Sequence, residues 1–308
     1  MTTFRLGLVS SWCALVAPIT VLGDQWLYFN AGDIKRARTD GTNLEVIVRS
    51  IPNCEFLSVA VDSRDNHVYF VEACTISSGT IIDRVDDRGG NRQRALSAVG
   101  GYSVIEGIAV DSVAGALYFG FRLPGGEIHR KRLQGDAEET LVRGAGSNIW
   151  GVALDSESGT IYWTTADDGE PPVGRLRRAN LDGTNVHDFV VGLGSPRELA
   201  IDTNHGKIYW ADDATKRIQR ADLVDGRNVE SIVSDGVEGV FGLALDVSAG
   251  KIYWADSGLR KIRRANLDGS GAEDVLTGIA AGPLEIGPNR VVSVEPSSWS
   301  KVKRGFRR

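Results

Sequence analysis

The chain is poor in the residues that most often carry out chemistry. Its 308 positions hold three cysteines, four histidines and one methionine. No His-x-His, Cys-x-x-Cys or HExxH spacing occurs, which removes the familiar zinc signatures. The absence of G-x-S-x-G removes the nucleophile elbow of the hydrolases. The Asp-rich pieces ADD (211–213) and TTADDGE (164–170) lack EF-hand spacing. The glycine runs RGAGSN and GLGSP have no strand–helix context that would let them cradle phosphate. His67 and His205 fall in tight turns, and His129 and His187 fall in outer strands, where surface or edge positions are expected. Positive charge is also scarce: the formal net charge is −5, with acids and bases interleaved. Nucleic acid is therefore excluded as a partner, because neutralising phosphates needs a concentrated basic face.

Long apolar runs are missing beyond the N-terminus, so no membrane span is expected. The first 23 residues are read as a secretory signal. Arg5 precedes an apolar run from Leu6 to Leu22, broken by Ser10, Ser11 and Pro18, and Val21 and Gly23 stand at −3 and −1 before Asp24. Loss of Cys13 with that segment leaves Cys54 and Cys74, an even number that suits the secretory pathway or an extracellular location.

What the chain has in quantity is repetition. Tyr-plus-aromatic pairs stand at Tyr28-Phe29, Tyr69-Phe70, Tyr118-Phe119, Tyr162-Trp163, Tyr209-Trp210 and Tyr253-Trp254, with successive tyrosines 41 to 49 residues apart. From the second onward, each pair follows a short apolar run ending in Asp: SVAVD, GIAVD, GVALD, ELAID and GLALD. Charged alternating stretches such as LRRANLDG and IRRANLDG come after most pairs, and then a last apolar strand. A period of this length marks a repeat architecture. Four short strands per unit with Asp-Gly turns read as antiparallel meanders, which bury both faces only when arranged radially. The fold expected is an all-β, six-bladed β-propeller of four-stranded blades over residues 24–295, with a basic tail over 296–308. GPLEI (282–286) supplies the inner strand that the first blade lacks, so the N- and C-terminal strands close the ring by pairing.

The segments IYWTT, IYWADD and IYWADS, followed by RLRRANLDG, RIQRADLVDG and KIRRANLDG, resemble the YWTD repeats of the low-density lipoprotein receptor family over about residues 25–287. The resemblance is strong in the last three repeats and degenerate in the first three. It implies that Asp212, Asp256, Arg220 and Arg263 are framework residues. Function is then expected where the repeats disagree, in the loops at one mouth of the channel. Five positions before each inner-strand Asp stand Leu57, Glu106, Trp150, Arg197 and Phe241. The other loop set brings Asn30, Glu72, Arg122, Thr165 and Asp167 to the same mouth. Cys54 and Cys74 flank two strands of one blade on that face, where a disulfide is expected.

A stand-alone propeller of this size also resembles fungal natural-product cyclases that perform hetero-Diels–Alder reactions between a quinone methide or enone and a terpene alkene. That resemblance implies an apolar small-molecule substrate and no cofactor, metal or nucleophile. Trp150, Phe241, Tyr102, Asn148 and Leu57 would shape the cavity, Arg197 or Arg122 would hold an oxyanion, and Glu106 or Glu72 would serve as acid or base. The alternative is a non-catalytic secreted propeller that binds a protein or other ligand. A third reading is a lactonase-like enzyme with calcium held by Glu106, Asn148 and Glu72.

Overall fold

The alternation within each repeat resolves into twenty-four β-strands among the described residues. The computed structural model describes residues 25–75, 79–97, 104–122, 124–135, 137–166 and 173–287. The expected signal segment, the basic tail, Cys13, Tyr102 and Asp167 lie outside the described residues. No helix among the described residues is long and apolar enough to cross a membrane.

Each blade is an antiparallel meander. Blade 1 contains β1 (Trp26–Ala31), β2 (Asp33–Arg38) and β3 (Glu45–Val48). Blade 2 runs through β4 (Cys54–Asp62), β5 (His67–Cys74), β6 (Gly79–Asp86) and β7 (Gln93–Leu96). Blade 3 is β8 (Val104–Asp111), β9 (Ala116–Arg122), β10 (Glu127–Arg132) and β11 (Glu138–Arg143). Blade 4 is β12 (Ile149–Asp155), β13 (Thr160–Ala166), β14 (Gly174–Asn180) and β15 (His187–Leu193). Blade 5 is β16 (Pro196–Asp202), β17 (Lys207–Asp212), β18 (Arg217–Asp222) and β19 (Glu230–Val233). Blade 6 is β20 (Val240–Asp246), β21 (Lys251–Asp256), β22 (Lys261–Asn266) and β23 (Glu273–Thr277). The last strand, β24 (Leu284–Ile286), pairs antiparallel with β1, Leu27 opposite Ile286 and Phe29 opposite Leu284, and completes blade 1. The two ends of the domain thus share one sheet, which gives blade 1 its fourth strand.

The core is a circle of six interfaces between neighbouring blades. Each blade's aromatic pair feeds the two interfaces beside it: Tyr253 packs toward blade 1 with Leu27 and Phe29, and Trp254 toward blade 5 with Tyr209 and Ala211. The other four interfaces repeat this arrangement. Trp163, Trp210 and Trp254 are fully buried, as the large area of an aromatic side chain favours.

The repeated charges tie this circle together. Asp256 accepts backbone N–H bonds from Glu238 (2.9 Å), Gly239 (3.1 Å) and Leu259 (2.9 Å). Asp212 does the same for Gly194, Ser195 and Thr215. Arg220 reaches the Leu267 carbonyl of the next blade at 2.9 Å, and Arg264 donates at 3.0 Å to the Thr39 carbonyl across the closure. Arg263 lies over Trp254 and donates to the Gly236 carbonyl. All four residues read as framework are framework. His129 departs from expectation. It is buried against Phe119 and Phe121, with Nδ1 2.8 Å from Glu138 and Nε2 2.8 Å from Glu127.

A disulfide joins Cys54 and Cys74, which sit opposite each other in the β4–β5 register. It locks the upper end of blade 2.

Candidate functional site

Every complete inner strand carries a β-bulge near its start. The register between inner and aromatic strand shifts at Phe56/Ser58, Ile105/Gly107, Ile149/Val152, Pro196/Leu199 and Val240/Gly242. The residues these shifts bracket include Leu57, Glu106, Trp150, Arg197 and Phe241. A bulge leaves its extra residue out of the ladder and re-aims the side chain. All five converge on one cavity of about 200 Å³, completed by Phe56, Glu198 and Pro283. Gly282 stands at the sixth place, next to Pro283, and contributes no side chain to the ring.

Local packing explains why the bulges meet. A Cβ on Gly151 would lie 2.9 Å from the Arg197 carbonyl oxygen, and one on Gly242 would lie 2.3 Å from that of Gly282. Only glycine lets adjacent inner strands approach this closely. Thr164, fully buried, then locks two bulges together: its hydroxyl accepts from Gly151 N–H (2.9 Å) and donates to the Arg197 carbonyl (2.7 Å). The Arg197 guanidinium in consequence stacks 3.7 Å from the Trp150 ring centroid and 5.1 Å from that of Phe241. Arg122 lies 5.3 Å from the same indole and pairs with Glu106 at 3.2 Å. Asn148 accepts from Arg122 Nε at 2.6 Å and so positions it.

Burial pushes the Glu106 carboxyl above the usual range, and Arg122 and Arg197 pull it part of the way back. Burial also lowers Arg197, opposed chiefly by Asp213, whose carboxylate is 3.5 Å from Nη2.

Besides Arg122, four expected residues stand off the cavity wall: Thr165, which is fully buried and donates to the Ser147 carbonyl, Asn30, which donates to the Phe56 carbonyl, Glu72 and Asn148. Glu72 is not on the cavity wall. It occupies the place in β5 that Asp256 has in β21, is buried, and pairs with Arg92 at 2.7 Å. The repeat's framework role captures it, which removes it as a mouth acid. Asn148 is buried behind Arg122 rather than facing the cavity, and it donates to the Ala166 carbonyl. The calcium trio of Glu106, Asn148 and Glu72 therefore does not assemble. Among the described residues the side chains within metal-binding reach of one another are Cys54, Glu72 and Cys74, and Asp62, Asp65 and His67. The first set has its sulfurs in the disulfide.

Two carboxylates escaped the sequence reading. Below the mouth the channel is lined by Ala60, Ala109, Ala153, Ala200 and Ala244, each paired across the ladder with its blade's tyrosine. In β24 the equivalent residue is Glu285, opposite Tyr28. Glu198 lines both the cavity and the channel, where other blades have Ser58, Gly107, Gly151, Gly242 and Pro283. Burial pushes Glu285 up to about 7. Burial, with the Glu285 charge nearby, holds Glu198 well above the usual carboxylate range. A column-by-column comparison of SVAVD, GIAVD, GVALD, ELAID, GLALD and GPLEI would have exposed both.

Residues 250–276 match the family described as low-density lipoprotein receptor repeat class B. Over 97 residues, 31% of the chain, the sequence is 37% identical to low-density lipoprotein receptor-related protein 5 of Mus musculus. It is 30% identical over 116 residues to low-density lipoprotein receptor-related protein 1 of Pyricularia oryzae. These matches span 6% and 37% of the two relatives' lengths. Among solved structures, a chain of a nidogen/laminin complex superposes with a TM-score of 0.75 at 19% identity, covering 87% of this chain and 99% of that one. TolB from Acinetobacter baumannii superposes with a TM-score of 0.69 at 14% identity, covering 86% of this chain and 67% of that one. At these identities the structural matches speak for the fold.

Proposed function

We propose that this chain is a non-catalytic, extracellular binding propeller that captures a partner protein at the mouth of its channel. One observation carries the reading: five bulged side chains, one from each complete inner strand, form a single half-buried depression in which Leu57, Trp150 and Phe241 surround the stacked Arg197, with Glu106 beside them. Aromatic rings and arginine in a partly desolvated pocket are the usual composition of a protein-binding hot spot. The receptor-type repeat and the relatives named as receptor-related proteins support the same reading. So does the disulfide, which suits an oxidising compartment.

Cyclisation has less behind it. A cavity of about 200 Å³ lies below the roughly 300–1,000 Å³ typical of small-molecule sites, and a cyclase must hold two reactants at once. Glu72, one of the two acids assigned to that chemistry, is committed to the framework.

The test is capture of secreted proteins by the purified propeller, with chemical cross-linking and mass spectrometry. Trp150→Ala combined with Phe241→Ala should lose specific partners while the thermal melt stays that of a folded protein. Truncation of one hot-spot aromatic costs about 2 kcal/mol or more, roughly thirty-fold in affinity. Partners retained undiminished by the double variant would place binding elsewhere.

A further inference from the structure

Buried polar atoms almost always find a hydrogen-bond partner, so those that do not call for an explanation. Three such atoms coincide at the cavity: among the described residues, Arg197 Nε, Arg197 Nη1 and Glu106 Oε2 are buried without a partner. Their neighbours make the imbalance specific. Trp150 and Phe241 stack on the guanidinium and fix the direction of its donors. Asp213 approaches only Nη2, at 3.5 Å. Glu106, by contrast, already meets Arg122 through its other oxygen at 3.2 Å. What remains unmet is two donors on a cation and one acceptor on an anion whose charge is already answered. Around them the walls are apolar, formed by Phe56, Leu57, Phe241 and Pro283, apart from Glu198, whose carboxyl burial holds well above the usual range.

We infer that the mouth takes an acidic side chain from an extended segment of the partner, its carboxylate on Arg197, an adjacent backbone N–H on Glu106, and a flanking aliphatic side chain against Leu57 and Phe241. This rests on the binding reading of the mouth. An acidic residue within a peptide offers all three groups together. A carboxylate also meets a guanidinium with charge-assisted bonds about twice as strong as neutral ones. A carboxamide of the same shape forgoes that gain, and an apolar side chain leaves both arginine donors buried and unpaired. Lysine in place of Arg197 would lose the flat stacking that holds the donors in place.

The test uses three capped tripeptides, acetyl-Leu-Asp-Val-amide and its Asn and Ala counterparts, titrated into the intact protein and followed by NMR of the tryptophan indole N–H resonances. The Asp peptide is expected to bind about tenfold or more tightly than the other two, in keeping with a charged hydrogen bond. In Arg197→Gln the three should fall within about twofold of one another, with the melt confirming a folded protein. The comparison on unaltered protein decides the matter even if that variant fails to fold. Equal binding of all three, tighter binding of the Asn peptide, no binding of any, or a preference that survives Arg197→Gln overturns the inference. If partner capture nevertheless depends on Trp150 and Phe241, the binding reading stands while the carboxylate falls.

Discussion

Replacing Glu285 by Gln should change how stability depends on pH. The folded state holds this carboxyl at about 7, against an ordinary glutamate value of 4.5. The folded protein therefore binds the Glu285 proton more tightly than the unfolded chain does. By linkage, its contribution is most favourable below pH 4.5, is lost progressively as pH rises from 4.5 to about 7, and is then constant. A gap of that size corresponds to about 3 kcal/mol at most, and because Glu285 is only half-buried, solvent screening trims it to about 1–3 kcal/mol. Glu285→Gln keeps the shape and removes the titration. Urea unfolding at pH 5, 6, 7 and 8 should show the variant drawing level with the parent at pH 5 and exceeding it by about 1–3 kcal/mol at pH 8. Carboxylates whose pKa is lowered, such as Asp274 and Asp268, change their charge below this window, whereas Glu198, held up in part by the Glu285 charge, is relieved by the same substitution and adds to the variant's advantage at high pH. Parallel curves for parent and variant from pH 5 to 8 would refute the placement of Glu285 as a desolvated channel carboxyl.

Three further outcomes are expected. Reducing or substituting Cys54 and Cys74, which close a loop of 20 residues, should lower stability by about 3 kcal/mol, read as a drop in the urea midpoint. Asp256→Ala strands three backbone N–H groups and should cost about 3–5 kcal/mol, whereas Glu106→Ala should change stability by less than about 1 kcal/mol; similar losses for the two would contradict the division between framework and site. Thr164→Val removes the hydroxyl between Gly151 and Arg197 and should cost about 1–3 kcal/mol while weakening capture at the mouth, although Thr164 does not line the cavity; unchanged capture would show that the clamp does not position Trp150 and Arg197.

The repeat made the ring legible. Blade number, closure of blade 1 by GPLEI, and the disulfide all follow from spacing that recurs, because each inner strand must end in the same turn. The mouth was legible for the same reason: counting back from that turn lands on the bulge in each complete inner strand. What escaped depended on which face a side chain takes. Glu72 stands three residues after Tyr69, as Asp256 does after Tyr253, yet its loop position suggested a site until Arg92 was seen to hold it. Glu198 and Glu285 replace glycine and alanine at positions that only the channel brings together. His129 looked like an edge residue because Phe119 and Glu138 meet it only through the strand register.

The most direct test of the central claim is site-specific photo-cross-linking from the two ends of the ring. A photoreactive phenylalanine analogue at Leu57 sits on the cavity wall, and one at Val113 sits in the β8–β9 turn at the opposite end, 84% exposed. With secreted proteins present, the account predicts discrete partner adducts from position 57, competed by unlabelled propeller, and none from position 113. Adducts from position 113 alone, or equally from both, would contradict it.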